Sequence, residues 1–92
     1  MTDDFQSRMV FLGVQTLTPR QIEVLRLVAA GESLAYERGS VWIGNRRTTS
    51  RTIDALLRVC AVSVDSSDRG CEYYKINGTG REILKRLKGM GK

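Results

Sequence analysis

The residues of this chain best suited to chemistry are arginines and hydroxyls gathered between Arg46 and Arg58. Arg46 and Arg47 precede Thr48, Thr49, Ser50 and Arg51, and Asp54 and Arg58 follow at helical spacing. Guanidinium groups pair with phosphate oxygens and reach base edges, while hydroxyls and free backbone N–H groups at a helix start donate to an anion. A second set comprises Arg69 in a polar turn, then Tyr73 and Lys75 alternating on one side of a strand. An arginine at a hairpin tip suits a minor groove or a phosphate backbone. The implied chemistry is recognition of double-stranded DNA. Arg46, Arg47, Arg69 and Lys75 would neutralise phosphates, and Ser50, Arg51, Asp54 and Arg58 would approach base edges, with Thr49 and Tyr73 beside them. Asp54 counts against this set, because its carboxylate repels phosphate unless Arg51 or Arg58 pairs with it. The alternative is an amphipathic helix whose polar face is simply hydrated.

Other chemistries lack their residues. The chain has no histidine, which removes the commonest general base and the commonest transition-metal ligand. It has no phosphate-binding glycine loop, no metal-ligand spacing and no carboxylate pair placed for acid–base work. No catalytic residue, metal or cofactor is expected, and the chain does not read as an enzyme. Cys60 and Cys71 fall too far apart on a hairpin to bridge, so two buried, reduced thiols are expected.

Charge singles out the same half of the chain. The net charge is +5 over 92 residues. Residues 1–40 hold four basic against five acidic groups, a balance of −1, whereas residues 41–92 hold eleven against five, a balance of +6. A localised excess is the footprint of a phosphate-backbone binder, although it also serves solubility. No apolar run approaches the roughly 18 residues that span a bilayer, and the acidic start is unlike a signal peptide, so no membrane partner and a cytoplasmic location are expected.

The elements that must position these residues follow from periodicity and capping. Residues 1–92 read as one domain, with 1–16 as an N-terminal helical extension. In it Thr2 caps a helix to Leu12, Gly13 stops it, and Phe5, Met9 and Leu12 form a face for a second subunit or for the domain's own core. Leu17-Thr18-Pro19-Arg20-Gln21-Ile22 is a capping box with a hydrophobic staple, opening a helix that Gly31 ends. Ser33–Glu37 fits a single helical turn, and Ser40–Ile43 a strand that anchors Trp42 in the core. Thr48 or Thr49 caps the next helix, which buries Ile53, Leu56, Leu57 and Cys60. Ala61–Asp65 and Cys71–Ile76 alternate as a hairpin around Ser67–Arg69, with Val62 and Val64 meeting Tyr74 and Ile76. Thr79-Gly80-Arg81-Glu82 is a second capping box, opening a helix with Ile83, Leu84 and Leu87 inward. Residues 89–92 are expected to fray. The fold class is α+β: helices plus a two- to three-stranded antiparallel sheet.

Two stretches resemble known families. LTPRQIEVLRLVAAGESL, residues 17–34, looks like the opening of LuxR-type helix-turn-helix domains, but AYERGSVWIGNRR then replaces that family's second helix. From Asn45 the succession helix, strand, turn, strand, helix resembles the C-terminal half of a winged helix-turn-helix domain. YYKINGTGREIL is similar to the Y-x-L-T-x-x-G-x-x-x-L ending of MarR-like proteins, with Asn77 where threonine is usual. The resemblance implies a small bacterial or phage transcription regulator that binds DNA with the helix from Thr49 and a hairpin wing. Winged-helix domains also serve as protein-binding adaptors or inhibitors, and that is the second reading. The space between residues 32 and 45 is short for the second helix of a helix-turn-helix.

Overall fold

The computed structural model describes residues 2–90, with side-chain surroundings from residue 4. The capping expected of the Thr2 side chain and the frayed end expected of Gly91 and Lys92 lie outside what is described.

Helix α1 spans Thr2–Thr16, running through the expected stop at Gly13. Gly13 lacks the side chain that would collide there: a Cβ would lie 2.5 Å from Ile83 Cδ1. The packed face is Val10, Gly13 and Val14, with Leu17 just beyond, while Phe5 stays 57% exposed. Of the expected face, Leu12 packs against the core and Met9 is half-buried, so only Phe5 stands clear of it. Helix α2, Pro19–Ala29, follows its sequence grammar. Thr18 Oγ1 accepts from the Gln21 N–H at 3.2 Å, and Gln21 Oε1 accepts from the Thr18 N–H at 2.9 Å. Leu17 and Ile22 line one crevice with Val14 and Leu87, as a staple requires. The helix closes with Gly31 at φ +104 and N–H bonds from Glu32 to Leu27 and from Gly31 to Val28.

The connection from α2 to the next helix is β-structure. Strand β1 is Leu34–Glu37, β2 is Ser40–Ile43 and β3 is Arg46–Thr48. The helical turn expected at Ser33–Glu37 is replaced by β1 because Leu34 pairs with Ile43 on one side and Tyr74 on the other. That pairing satisfies the backbone from both edges and buries Leu34 completely. Strand β2 has its expected limits, and β1 also pairs with the strand Cys71–Ile76. Arg46 and Arg47 precede the next helix as expected, but on a strand, β3, where they pair with Ile43 and Trp42.

Helix α3, Ser50–Arg58, buries Thr52, Ile53 and Leu56, with Val59 just after it. Its expected inner face is thus shifted: Leu57 is 38% exposed and Cys60 is half-buried. The shift is possible because Thr52, 3% exposed, keeps a hydroxyl partner in Thr49 at 3.3 Å. Cys60 then takes φ +58 and ends α3 with N–H bonds from Cys60 to Leu57 and Ala61 to Leu56. Both thiols are free, Cys71 buried and Cys60 half-buried.

Strand β4 runs Val62–Asp68 and β5 Cys71–Ile76, turning at Arg69-Gly70. Strand β4 is longer than expected because a bulge between Val64 and Ser66 lets pairing continue to Asp68, which faces Cys71 across the two-residue turn. Val62 meets Ile76 and Val64 meets Tyr74, as expected. Helix α4, Gly78–Gly89, is capped by Asn77 rather than Thr79. Asn77 Oδ1 accepts from the Gly80 N–H at 2.9 Å, and its Nδ2 donates to Ser63 Oγ at 2.9 Å, so one amide ties α4 to β4. Ile83 and Leu87 are fully buried, and Leu84 packs against them partly exposed.

The result is an α+β molecule whose sheet has the order β3-β2-β1-β5-β4, all neighbours antiparallel. Five strands form where two or three were expected, because β1 and β3 carried no strand signal of their own. One continuous core joins the helices to the inward residues Leu34, Val41, Ile43, Val62, Tyr74 and Ile76. Trp42, Ala35, Cys71 and Tyr73 point to the other face of the sheet and lie outside that core, so Trp42 is half-buried there rather than a core anchor. Among the described residues no helix is long and apolar enough to cross a membrane.

Candidate nucleic-acid interface

The register of β3 decides which arginines act together. Arg46 pairs with Ile43, whose side chain is in the core, so Arg46 rises on the helix side of the sheet. Arg47 pairs with Trp42 and rises on the outer face, where its Nη2 donates to Ser40 Oγ at 3.1 Å. Strand β3 ends at Thr48 opposite Val41, one residue from the β1–β2 turn. Helix α3 therefore begins near the turn-bearing end of the sheet.

The exposed side of α3 presents Ser50, Arg51, Asp54 and Arg58, with Thr49 at the cap. Thr49 makes no side-chain bond to the helix backbone, since its hydroxyl pairs with Thr52 instead. The Thr52 N–H instead donates to the Thr49 carbonyl at 3.1 Å. Arg46, Arg51 and Arg58 make no ion pair within 4 Å among the described residues. Asp54 does not neutralise them by contact. Its charge makes the smallest of the contributions that raise Tyr74, on the inner face of β5.

Tyr74 itself is held protonated. Its hydroxyl is pushed up to about 12, first by burial and then by its hydrogen bond to Glu72 Oε1 at 2.9 Å, with Glu72, Tyr36 and Asp54 adding to the effect. Beyond it, Tyr36, Glu72, Ser67, Asp68 and Arg69 line an open depression of about 400 Å³ at the hairpin tip.

The remaining expected contacts lie elsewhere. Tyr73, 39% exposed, and Lys75 share the outer face with Arg47. Lys75 Nζ is 3.5 Å from Asp65 Oδ1, so part of its charge is already answered. The Tyr73 hydroxyl is raised above its ordinary value, chiefly by a hydrogen bond with Cys71, with Glu37 and Asp68 nearby. The expected set thus divides between two faces. Thr49, Ser50, Arg51, Asp54 and Arg58 lie on α3 or at its cap, Arg46 lies on the helix side of β3, Arg69 stands at the tip, and Arg47, Tyr73 and Lys75 lie behind the sheet. Sequence reasoning also missed Arg38, which sits in the β1–β2 turn beside the Arg69 turn. Its one signal was the repeated pattern of an acid, arginine and glycine at residues 37–39 and 68–70.

Among the described residues no three His, Cys, Asp or Glu side chains are grouped to hold a metal ion. Comparison with known proteins finds no matching family model, no matching curated protein and no matching solved structure.

Proposed function

We propose that this chain binds duplex DNA as a small winged-helix-like regulator, with α3 as the recognition helix. The observation that carries the reading is the set Arg46, Arg51 and Arg58, exposed around α3 without an ion-pair partner among the described residues. Arginines left unanswered by the fold are available to phosphates and base edges. The order β1-β5-β4 supports the winged-helix comparison, since the strand that follows α2 joins the far side of the hairpin that follows α3. The β2–β3 hairpin then stands where the second helix of a helix-turn-helix would be. Arg47, Tyr73 and Lys75, behind the sheet, are not contacts of this duplex. The test is replacement of Arg51 and Arg58 by alanine in a duplex-binding titration. A loss of at least tenfold in affinity, with the melting temperature unchanged, supports the assignment. Affinity that survives both changes removes α3 from the interface.

A protein-binding adaptor is the second reading, and exposed apolar groups favour it. Leu57 is 38% and Val64 52% exposed, on α3 and on the inner side of the hairpin. The exposed Asp54 carboxylate, without an ion pair among the described residues, fits a protein surface better than a phosphate backbone. Replacement of Leu57 by serine separates the two readings: it weakens a protein complex and leaves duplex affinity within twofold.

A further inference from the structure

The β1–β2 and β4–β5 turns are near copies. Glu37-Arg38-Gly39 has φ +49 at Arg38 and +81 at Gly39, and Asp68-Arg69-Gly70 has φ +49 at Arg69 and +82 at Gly70. Both are two-residue hairpin loops with two positive φ angles, where asparagine, aspartate or glycine is preferred at the first position. Arginine is seldom found at such a φ. Here it occurs twice, at equivalent positions.

The register sets the two arginines side by side. Glu37 pairs with Cys71, and Cys71 pairs with Asp68, so the residues before the two arginines stand level. Strands β1 and β4 flank β5, which separates them by two strand spacings, about 9.5 Å. Both arginines are exposed and make no ion pair within 4 Å among the described residues. The carboxylates of Glu37 and Asp68 lie on the outer face, within electrostatic reach of Tyr73. No atom comes within 4 Å of a Cβ built on Gly39 or Gly70, so nothing in the fold crowds either tip.

We propose that Arg38 and Arg69 act together as a two-point clamp on the phosphate backbone of the bound nucleic acid. The contacts are to phosphate, so they add affinity without reading sequence. The proposal rests on the duplex-binding reading and assigns to that site an arginine from a second turn.

The test uses asparagine, which removes the charge and suits the positive φ. Duplex affinity is measured against salt concentration for the full chain, Arg38→Asn, Arg69→Asn and the double variant, with Arg51→Ala alongside. Each single change is expected to lower affinity about fivefold to tenfold at 0.1 M salt and to flatten the log–log salt slope by about 0.9. The double change is expected to flatten it by about 1.8, and the ranking of DNA sequences and the melting temperature are expected not to fall. A double variant that binds like the unaltered chain, while Arg51→Ala binds more weakly, overturns the clamp and leaves the α3 reading intact. A loss confined to Arg69→Asn also overturns it. Absence of duplex binding by the unaltered chain overturns both.

Discussion

The two ends of the sheet are built on opposite terms. At one end α3 stops, β4 starts and α4 begins, and these three join with almost no free space. The Asn77 N–H donates to the Ala61 carbonyl, and a Cβ on Gly80 would run into that carbonyl oxygen and lie 2.7 Å from Ile76 Cγ1. At the other end the turns carrying Arg38 and Arg69 stand free, and the start of α3 lies close by. One end closes the core. The other leaves Arg38 and Arg69 exposed and without an ion pair among the described residues.

The same chemical change should therefore have unequal effects at the two ends. Gly80→Ala is expected to destabilise the fold by about 3 kcal/mol or more, because the added methyl meets backbone rather than a side chain that can rotate. Gly70→Ala meets no neighbour, so only its positive φ resists the change, at a cost of about 1 kcal/mol. Urea unfolding of the two variants measures the difference, and equal losses would erase the contrast.

A smaller effect marks the boundary between the ends. Tyr74 is raised to about 12 from an ordinary 10, so the fold favours its protonated form. Its contribution is complete below pH 10 and is lost as pH rises from 10 toward 12, by on the order of 1–2 kcal/mol. Tyr74→Phe is expected to flatten that part of the stability profile in urea unfolding at pH 9 and pH 11. The smallest effect is a gain at the closed end. Cys60 occupies the left-handed position that Gly31 fills after α2. Cys60→Gly is expected to raise stability by about 0.5–1 kcal/mol, read as a higher urea midpoint, provided the half-buried thiol contributes little packing.

How much of this was legible depends on whether the deciding contact is local. Helix α2 was readable because Thr18, Pro19, Gln21 and Gly31 act on their own neighbours. Strand β1 was not, because its identity is set by pairing with Tyr74, forty residues away. Its turn carries Arg-Gly rather than a strong hairpin pair, so Arg38 went unnoticed. The phase of α3 slipped because Thr52 is buried through a hydroxyl bond that hydrophobic spacing cannot register. Asn77 displaced Thr79 as cap because its amide also reaches Ser63 across the chain. The basic cluster around α3 was visible from residue types alone. Its division between two faces was not, because that depends on which of Arg46 and Arg47 faces the core side of a three-residue strand.

In the proposed mode of binding, the open end of the sheet and α3 receive a phosphate backbone. The most direct measurement is the affinity of the full chain for a random duplex across a range of salt concentrations. Three to five arginine contacts, from Arg46, Arg51 and Arg58 alone to those three with Arg38 and Arg69, predict a log–log slope of about −2.7 to −4.5. A slope near zero, or no binding at low salt by a folded chain, would contradict the claim and leave the exposed Leu57 and Val64 surface as the interface to pursue.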